Sequence, residues 1–266
     1  MTTLFSLEDR IALVTGAGRG IGQGIAKGLA AHGARVVCAA RTRTQLDETV
    51  VAIESDGGEA TAVEMDVSSL ESIATGVDAA AAWHSQIDIL VNNAGINIRE
   101  PIDEVTEEHY DQITDVNLKG LYFTTQEVVK HMAPRKQGKV INIGSLTTGR
   151  ALASISVYAA TKGAVGQLTK AQALELAAHN IQVNAICPGF VITPLTEKVW
   201  SDPTMHAWGK DRIPQGRLAD PDDMAGTAIF LASPASDYVT GQLIYVDGGY
   251  MAGDSWPIAP KPGGRG

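Results

Sequence analysis

Three side chains between Ser145 and Lys162 have the types and spacing that a proton transfer needs. Tyr158 and Lys162 are four residues apart, so on a helix both side chains leave the same face, one turn apart. A neighbouring ammonium favours the phenolate form, and we therefore expect the pKa of Tyr158 to be lowered. Ser145 follows an apolar, strand-like run over residues 140–143 and could hydrogen-bond the oxygen of a carbonyl or an alcohol.

The pair of Tyr158 and Lys162 is weak evidence by itself, because such a spacing occurs by chance roughly once in every two or three chains of this length. Lowering the pKa of a phenol by about three units takes about 4 kcal/mol, since each unit is worth ~1.4 kcal/mol. That is a large demand on one lysine, and a cationic cofactor ring and helix-terminus dipoles would have to add to its field. The interpretation of these residues therefore depends on what precedes them in the chain.

The composition describes a globular protein and excludes several classes of partner. The chain has 266 residues, 44% of them hydrophobic, and a net charge of -9. An acidic chain is a poor sequence-independent ligand for nucleic acid or for an anionic membrane, both of which need a basic face. Residues 1–10 lack the apolar core of a secretion signal, and no run of about 18 apolar residues occurs. We expect a cytoplasmic protein without membrane or nucleic-acid partners.

The two cysteines and the remaining metal-binding residue types predict neither a disulfide nor a metal site. Cys38 and Cys187 each lie in an apolar, strand-like segment, where a free thiol packs as a small hydrophobic group. A bridge between them is the alternative. No set of metal ligands is predicted.

A glycine-rich turn follows the first predicted strand, residues 11–14. Gly16, Gly20 and Gly22 have G-x-x-x-G-x-G spacing, which differs from the G-x-G-x-x-G fingerprint because Ile21 and Gln23 occupy the places of a third glycine. The next helix begins at this turn, so backbone N–H groups could approach an anionic diphosphate without a Cβ in the way. The alternative is a tight turn that binds nothing.

The end of the second predicted strand, residues 35–40, favours NADP over NAD. In a dinucleotide fold this strand ends near the adenine ribose, where a carboxylate would accept hydrogen bonds from the 2′-hydroxyl of NAD. The chain has Ala40 and Arg41 there, which leaves room and a charged donor for a 2′-phosphate. Arg19 and Arg43 favour the same cofactor. NADP(H) is therefore favoured and NAD(H) is possible; the alternative is that these arginines are solvated surface charges.

The third and fourth predicted strands, residues 60–65 and 87–91, end in polar or small residues. Asp66, followed by Val67, could accept a hydrogen bond from the adenine amino group. We expect Ser68 to cap the next helix, with Glu71 completing a capping box. The fourth strand ends in small and amide residues that suit a loop beneath a cofactor, although a plain turn is the alternative: Asn92, Asn93, Ala94 and Gly95.

The second half of the chain continues the alternation of helices and strands. A helix over residues 106–132, capped by Thr106, has Asn117 on a half-buried face, where its amide must find partners. A helix over residues 155–179 carries Tyr158 and Lys162. Residues 194–216, with Trp200 and Trp208, are interpreted as a mobile flap over a ligand; a packed surface excursion or a subunit contact is the alternative.

The chain shows no internal repeat and no linker, so residues 1–266 are predicted to form a single α/β domain with a parallel sheet. Further predicted elements are strands over residues 181–186 and 242–246 and a helix that begins at Asp220 and Pro221. The Gly- and Pro-rich tail, residues 252–266, is expected to be disordered unless it docks.

The ordered set of motifs resembles the short-chain dehydrogenase/reductase family over about residues 8–250. The resemblance implies a Rossmann-like, doubly wound parallel sheet of about seven strands with helices on both faces, a nicotinamide cofactor, and hydride exchange with an alcohol or carbonyl. It rests on Thr15, Gly16, Gly20, Gly22, Asp66, Asn92, Asn93, Ala94, Gly95, Asn117, Ser145, Tyr158, Lys162, Pro188, Gly189 and Thr193.

The resemblance also implies a role for each matching residue. Tyr158 would be the general acid in reduction and the base in oxidation, and Lys162 would lower its pKa and hold the nicotinamide ribose. Ser145 would orient the substrate oxygen, and Asn117 would hold a water that passes protons to solvent. In the family an aspartate at the position of Ala40 marks NAD users, so its replacement supports NADP. The nicotinamide end would be anchored by Pro188, Gly189, Val191 and Thr193, the last through its hydroxyl.

The substrate and the assembly are less closely defined by the resemblance. The chain is similar to gluconate 5-dehydrogenases and related sugar or polyol dehydrogenases, and also to 3-oxoacyl carrier-protein reductases. Asn97, Arg99 and Arg150 are near the predicted site, and an arginine there could clamp a carboxylate. We expect a small hydroxylated or carboxylated substrate, unless both arginines face solvent or another subunit. Family members are commonly dimers or tetramers, so a homo-oligomer is expected.

Two alternative functions are kept open. One is the reduction of a 3-oxoacyl thioester or a cyclic ketone by the same chemistry. The other is of a different class: a dinucleotide-binding sensor or scaffold that no longer turns over. An enzyme should lose its turnover when Tyr158 is replaced by Phe, whereas a sensor should keep its function.

Overall fold

Seven parallel strands form one sheet in the computed structural model, which describes residues 4–253. The strand order is β3-β2-β1-β4-β5-β6-β7, so the chain first builds the sheet outward on one side of β1 and then on the other. The predicted Rossmann-like parallel sheet is confirmed. The strands are β1 Ile11–Thr15, β2 Arg35–Ala40, β3 Glu59–Glu64, β4 Ile89–Asn92, β5 Gly138–Ile143, β6 Ile181–Pro188 and β7 Leu243–Val246.

Helices cover both faces of the sheet because the central strands are apolar on both sides. In β1, Ala12 and Val14 face a core shared with α1, α2 and α9, whereas Ile11 and Leu13 face a core shared with α3, α5 and α6. The helices are α1 Gly20–Ala31, α2 Arg43–Ser55, α3 Leu70–His84, α4 Glu107–Thr114, α5 Leu121–Met132, α6 Ser156–Leu176, α7 Glu197–Trp200, α8 Pro203–Arg212 and α9 Ala225–Ala232.

The strand order reverses between β1 and β4, which pair with each other while their following segments cross to opposite sides of the sheet. Ligands of open α/β sheets bind in the crevice at the carboxyl ends of the strands where this reversal occurs. The glycine-rich turn follows β1 and the turn at Asn93 follows β4. The fold therefore places both predicted cofactor motifs on one crevice.

The start of α3 corrects one prediction. Ser69 rather than Ser68 is the N-cap, and its hydroxyl accepts a hydrogen bond from the Ser72 N–H at 3.3 Å. The Ser68 hydroxyl instead donates to the Asp66 carboxylate at 2.7 Å. Because the Ser68 side chain bonds to Asp66 instead of the helix end, the predicted capping box of Ser68 with Glu71 does not form.

The helical segment after Thr106 is interrupted in a way that periodicity did not predict. Thr106 is the N-cap of α4, as predicted, and accepts from the His109 N–H at 3.2 Å. Residues Asp115–Gly120 then form a π-helical segment between α4 and α5. Such segments widen a helix locally and are frequent at functional sites. Asn117 lies within this one.

The segment over residues 194–216, predicted to be a flap, contains the helices α7 and α8. Trp200 is buried and stacks edge to face on Phe190, with 5.1 Å between ring centres. Trp208 lies 5.7 Å from the same ring. The segment is thus anchored by aromatic packing at one side of the crevice, and its movement as a flap stays a prediction.

Two further predictions concern the cysteines and the C-terminal tail. Cys38 and Cys187 are both free and buried, as predicted. Of the predicted Gly- and Pro-rich tail, residues 254–266 lie outside the described residues.

Candidate active site

The glycine-rich turn has no room for side chains at two of its positions. Gly16 has a φ of +64°, and a Cβ there would lie 2.8 Å from the Asn93 side-chain nitrogen. A Cβ on Gly22 would collide with the Gly16 carbonyl oxygen. Glycine is required at both places, and the backbone between them stays open to the crevice.

The loop after β4 supports this turn from beneath. The Thr15 hydroxyl accepts hydrogen bonds from the N–H groups of Asn93 and Ala94, at 2.9 and 3.0 Å. The Asn93 side chain donates back to the carbonyl oxygens of Thr15 and Gly16, at 2.9 and 3.2 Å. Six polar groups are satisfied within this contact, so the two loops hold each other in place.

At the far end of the crevice the arginines differ in their availability. Arg41 is exposed and lines the crevice. Arg43 is not among the lining residues and pairs with Asp47 at 2.8 Å, whereas Arg19, like Arg41, lines the crevice. Thr42 and Gln45 also line the crevice, and the sequence analysis missed both.

Asp66 lies at the same end, beside Val67, and both line the crevice. Burial acts to raise the pKa of Asp66, but hydrogen bonds from the Ser68 N–H and hydroxyl, together with the charge of Arg41, leave that pKa below its usual value. The carboxylate is therefore ionised at neutral pH and able to accept a hydrogen bond.

Tyr158 and Lys162 lie one turn apart on α6, with the Lys162 ammonium 5.7 Å from the centre of the Tyr158 ring. The predicted proximity is confirmed. Lys162 is 5% exposed, and its ammonium donates to the Ile143 carbonyl oxygen at 2.7 Å. Burial lowers the pKa of Lys162 to about 8, because the charged form is poorly solvated there.

The predicted lowering of the Tyr158 pKa is wrong for the protein alone. Burial raises the pKa of Tyr158 above its ordinary value, and this effect exceeds the opposing effects of a hydrogen bond with Ser145 and the charge of Arg99. The neighbouring cation is evident from the sequence, whereas the desolvation of the phenolate depends on packing. A further positive charge in the crevice is needed to lower the pKa of Tyr158 below its ordinary value. The free energy of about 4 kcal/mol that a shift of three units takes already indicated that one lysine is not enough.

Ser145 is fixed by the turn that follows β5. Its hydroxyl accepts a hydrogen bond from the Thr147 N–H at 3.1 Å, and its own N–H donates to the Thr148 hydroxyl at 3.1 Å. The hydroxyl still has its proton for a bond into the crevice. The turn therefore orients Ser145 toward Tyr158 without using its donor.

Asn117 is buried, and both its side-chain oxygen and its side-chain nitrogen have hydrogen-bond partners, as expected for a buried polar group. Its side-chain oxygen accepts from the Ile96 N–H at 2.8 Å, and its nitrogen donates to the Ile96 carbonyl at 2.9 Å and to the Thr161 hydroxyl at 3.3 Å. Asn117 thus ties the π-helical segment to the loop after β4 and to α6. Its predicted role of holding a water stays a prediction.

One crevice brings most of the predicted residues together. Gly22 packs behind the glycine turn, Asn117 is buried behind the wall, and neither is among the lining residues. The predicted residues that line the crevice are Gly16, Arg19, Gly20, Ile21, Arg41, Asp66, Val67, Asn93, Ala94, Gly95, Ser145, Tyr158, Lys162, Pro188, Gly189, Val191 and Thr193.

Of the predicted substrate residues, Ser145 and Tyr158 line the crevice, whereas Asn97, Arg99 and Arg150 lie outside its lining. Arg99 is exposed, but its charge reaches Tyr158 and lowers the pKa of that phenol. Asn97 has a buried side-chain oxygen that lacks a hydrogen-bond partner. Arg150 is also exposed, with its guanidinium over the Tyr250 ring, 4.9 Å from the ring centre. Arg99 is therefore better placed to act at the site than Arg150.

Residues 4–253 contain neither a membrane-spanning helix nor a cluster of metal-binding side chains. No helix in that range is both long and apolar enough to cross a membrane. No group of three or more histidine, cysteine or acidic side chains in that range is arranged to hold a metal ion.

Comparison with known proteins identifies the family. The protein-family model described as enoyl-(acyl carrier protein) reductase matches residues 16–251 of this chain. The gluconate 5-dehydrogenase of Gluconobacter oxydans is 41% identical over 246 residues, which cover 92% of this chain and 96% of that protein. The 2-dehydro-3-deoxy-D-gluconate 5-dehydrogenase of Bacillus subtilis is 45% identical over 250 residues, or 93% and 97% of the two chains.

A solved structure gives the same result. The crystal structure of a gluconate 5-dehydrogenase from Burkholderia cenocepacia, in complex with NADP and tartrate, superposes with a TM-score of 0.91. It is 40% identical and covers 94% of this chain and 98% of its own. The chain belongs to the short-chain dehydrogenase/reductase family.

Proposed function

We propose that the protein is an NADP(H)-dependent oxidoreductase that exchanges hydride between the nicotinamide and a secondary alcohol or ketone of a small polyol, sugar or sugar acid. The observation that carries the proposal is the single crevice that joins the glycine-rich turn to Ser145, Tyr158 and Lys162. Relatives at about 40% identity named for gluconate chemistry support the substrate class.

The crevice suits NADP at both ends. The glycine turn and the start of α1 line one end of the crevice, where their backbone N–H groups could bind a diphosphate. Arg41 stands exposed where a carboxylate would select NAD, and it offers donors to a 2′-phosphate. Pro188, Gly189, Val191 and Thr193 would hold the nicotinamide end. When bound, NADPH would supply the hydride for reduction, and NADP⁺ would accept it in oxidation.

The residues of this chain manage the proton. Tyr158 gives a proton to the substrate oxygen during reduction and takes it back during oxidation. Ser145 keeps its hydroxyl proton for that same oxygen and so fixes it beside the phenol. Lys162 contributes positive charge 5.7 Å from the Tyr158 ring and favours the phenolate. Asn117 would order a water next to this group.

Arg99 is the proposed anchor for a substrate carboxylate, with Asn97 beside it. Its charge already acts on Tyr158, so a bound acid would lie within reach of the reacting oxygen. Arg150 is the weaker candidate because its guanidinium stacks on Tyr250. Steady-state kinetics of Arg99→Ala test this: the KM for gluconate should rise about 10-fold or more, as expected when a charged hydrogen bond is lost. An unchanged KM removes the carboxylate anchor.

The protein is further proposed to work in the cytoplasm as a homo-oligomer, a tetramer or a dimer. Large apolar side chains that stay exposed on the helices support the assembly, among them Leu174 and Tyr122 at 82% and 44% exposure. Light scattering of the purified protein tests it. A monomer at micromolar concentration would contradict the proposal.

The decisive test of the function follows the absorbance of the reduced cofactor, with NADP and NAD in separate assays. The substrates are polyols, sugar acids, cyclic ketones and acyl thioesters. We expect turnover of a sugar acid or polyol with NADP preferred, and loss of that preference in Arg41→Ala. Arg43→Ala is the matched control, since Arg43 already pairs with Asp47. Equal or better activity with NAD contradicts the role of Arg41.

A further inference from the structure

The glycine-rich turn is hydrogen-bonded on one side to β2 and α2. The Ala17 N–H donates to the Ala39 carbonyl oxygen of β2 at 3.2 Å. The Ala17 carbonyl oxygen accepts from the hydroxyl of Thr49, on the second turn of α2, at 3.0 Å. Both backbone polar groups of one turn residue are thus held by a single strand and helix.

Two glutamines extend this contact. The Gln23 side chain, on the first turn of α1, donates to the Thr49 hydroxyl at 3.0 Å. Gln45 packs against the turn, because a Cβ on Gly18 would lie 2.9 Å from the Gln45 Cβ. Thr49 is fully buried, so these bonds are shielded from water. The hydroxyl links α1, the turn and α2 at one point.

The connection between β2 and α2 is the segment that contains Arg41 and Thr42, both of which line the crevice. The two segments that would meet the diphosphate and the adenine ribose are therefore joined through Ala17 and Thr49. The Thr49 hydroxyl oxygen also lies 3.1 Å from the carbonyl oxygen of Gln45, one turn earlier in α2. Of the two carbonyl acceptors of this hydroxyl, only that of Ala17 belongs to the glycine-rich turn.

We propose that Thr49 is a positioning residue for the cofactor site: its hydroxyl holds the glycine-rich turn in register with the segment that carries Arg41. The inference rests on the proposed function, because it assigns Thr49 to the binding of the same dinucleotide. Thr49 touches neither cofactor nor substrate. It acts through the Ala17 carbonyl on backbone that binds the diphosphate, a group that NADP and NAD share.

The test uses Thr49→Val, which keeps the shape of the side chain and removes the hydroxyl. The change leaves the Ala17 carbonyl and the Gln23 amide without their shared partner, and the loss of such a buried bond predicts a Kd about five- to tenfold higher. The Kd should rise by the same factor for NADP and NAD, whereas Arg41→Ala should weaken NADP alone. The maximal rate at saturating cofactor should stay within about twofold of the wild type, the sign of a change in binding alone.

Two control variants separate positioning from general stability. Thr49→Ser keeps the hydroxyl and should restore the affinity of the wild type for both cofactors. Thr124→Val removes another fully buried hydroxyl, one that has no hydrogen-bond partner and does not line the crevice, and should leave both Kd values unchanged. Titration calorimetry gives the Kd values, and a thermal melt of each variant shows that it is folded.

The outcomes distinguish the two proposals. Wild-type protein that binds neither NADP nor NAD overturns the proposed function. Wild-type protein that binds NADP, together with a Thr49→Val variant of unchanged affinity, overturns the role of Thr49 alone. A variant whose melting temperature and maximal rate fall while its Kd is unchanged also overturns it, because Thr49 is then only a structural residue.

Discussion

The two ends of the parallel sheet treat a buried charge in opposite ways. At the amino ends of the strands, the Asp88 carboxylate is 3% exposed and accepts from three donors: the Ile11 N–H at 2.9 Å, Gln86 at 3.1 Å and Arg135 at 2.7 Å. The ion pair and the hydrogen bonds compensate the charge fully. A group held in this way binds strands together and has nothing left for chemistry.

At the carboxyl ends, Lys162 is equally buried but poorly compensated. Its ammonium has one carbonyl partner, and no carboxylate of residues 4–253 lies within ion-pair distance. Its pKa falls to about 8 as a result, and the neighbouring Tyr158 has a raised pKa for the same reason, burial. The comparison shows that the compensated charge at the amino ends stabilises the fold, whereas the ionisable groups at the carboxyl ends have pKa values shifted by burial and remain available for proton transfer.

The largest expected effect is on turnover at the carboxyl ends. Tyr158→Phe removes the proton donor and acceptor but keeps the ring, so kcat should fall about 10³-fold, within the range for lost general acid–base catalysis. The free energy of unfolding should not fall, because a buried hydroxyl is removed with its ring in place. Steady-state assays and urea unfolding check the two halves. Turnover within tenfold of the wild type would break the comparison.

Asp88→Ala at the amino ends should do the reverse. Removing one partner leaves Arg135 and the Ile11 N–H without their acceptor, and the free energy of unfolding should fall by about 3 to 5 kcal/mol. Below the melting temperature, kcat and KM should match the wild type, since Asp88 lies at the opposite end of the sheet from Tyr158. Chemical denaturation and kinetics at 20 °C or below measure both. A stability loss under about 1 kcal/mol would mean that this pair is not structural.

Lys162 makes the stability depend on pH in the alkaline range. Its pKa in the fold is about 8, against 10.5 in the unfolded chain, so between these values the unfolded state binds more protons. The contribution of Lys162 to stability therefore rises as pH increases from about 8 to 10.5, by about 3.5 kcal/mol at ~1.4 kcal/mol per unit. Lys162→Met should lack this rise. Denaturation curves of both proteins at pH 7 and pH 10 give the difference, and parallel curves would refute it.

Arg99 should sharpen the comparison by a smaller, electrostatic effect. Its charge lowers the pKa of Tyr158, so Arg99→Ala should raise that pKa further. The alkaline rise of kcat/KM for oxidation, which needs the phenolate, then moves to higher pH. Arg99→Lys keeps the charge and should keep the profile. The measurement is best made on an uncharged polyol, for which a carboxylate anchor plays no part; an unshifted profile in Arg99→Ala would show that the charge does not act on the phenol.

The structural features that could be predicted from the sequence are those that depend on local runs of residues. The buried strands and the glycine-rich turn were evident because parallel strands are short apolar runs and the turn needs glycine. Helix α2 was missed because only Leu46, Thr49 and Ile53 of it are buried, too few apolar residues for a clear helical period. The π-helical segment contains Asn117, which contacts Ile96, 21 residues away, and a contact over such a separation leaves no local sequence pattern.

The chemistry of the site was harder to predict than its composition. The residues of the crevice followed from the order of the motifs, but the pKa of Tyr158 did not, because desolvation depends on packing from several elements at once. The same holds for Ser68, whose hydroxyl is drawn to Asp66 rather than to the helix end. In each case a contact in space outweighed the preference of the local sequence.

The central claim is that Tyr158 exchanges its proton under the influence of a positively charged cofactor in the crevice. An NMR titration of protein labelled with ¹³C at the tyrosine ζ-carbon tests it, with the fully exposed Tyr238 as an internal reference and Tyr158→Phe to assign the signal. The pKa of Tyr158 should lie above its ordinary value in the protein alone and fall when oxidised NADP is added. A Tyr158 signal that titrates identically with and without bound NADP would contradict the account.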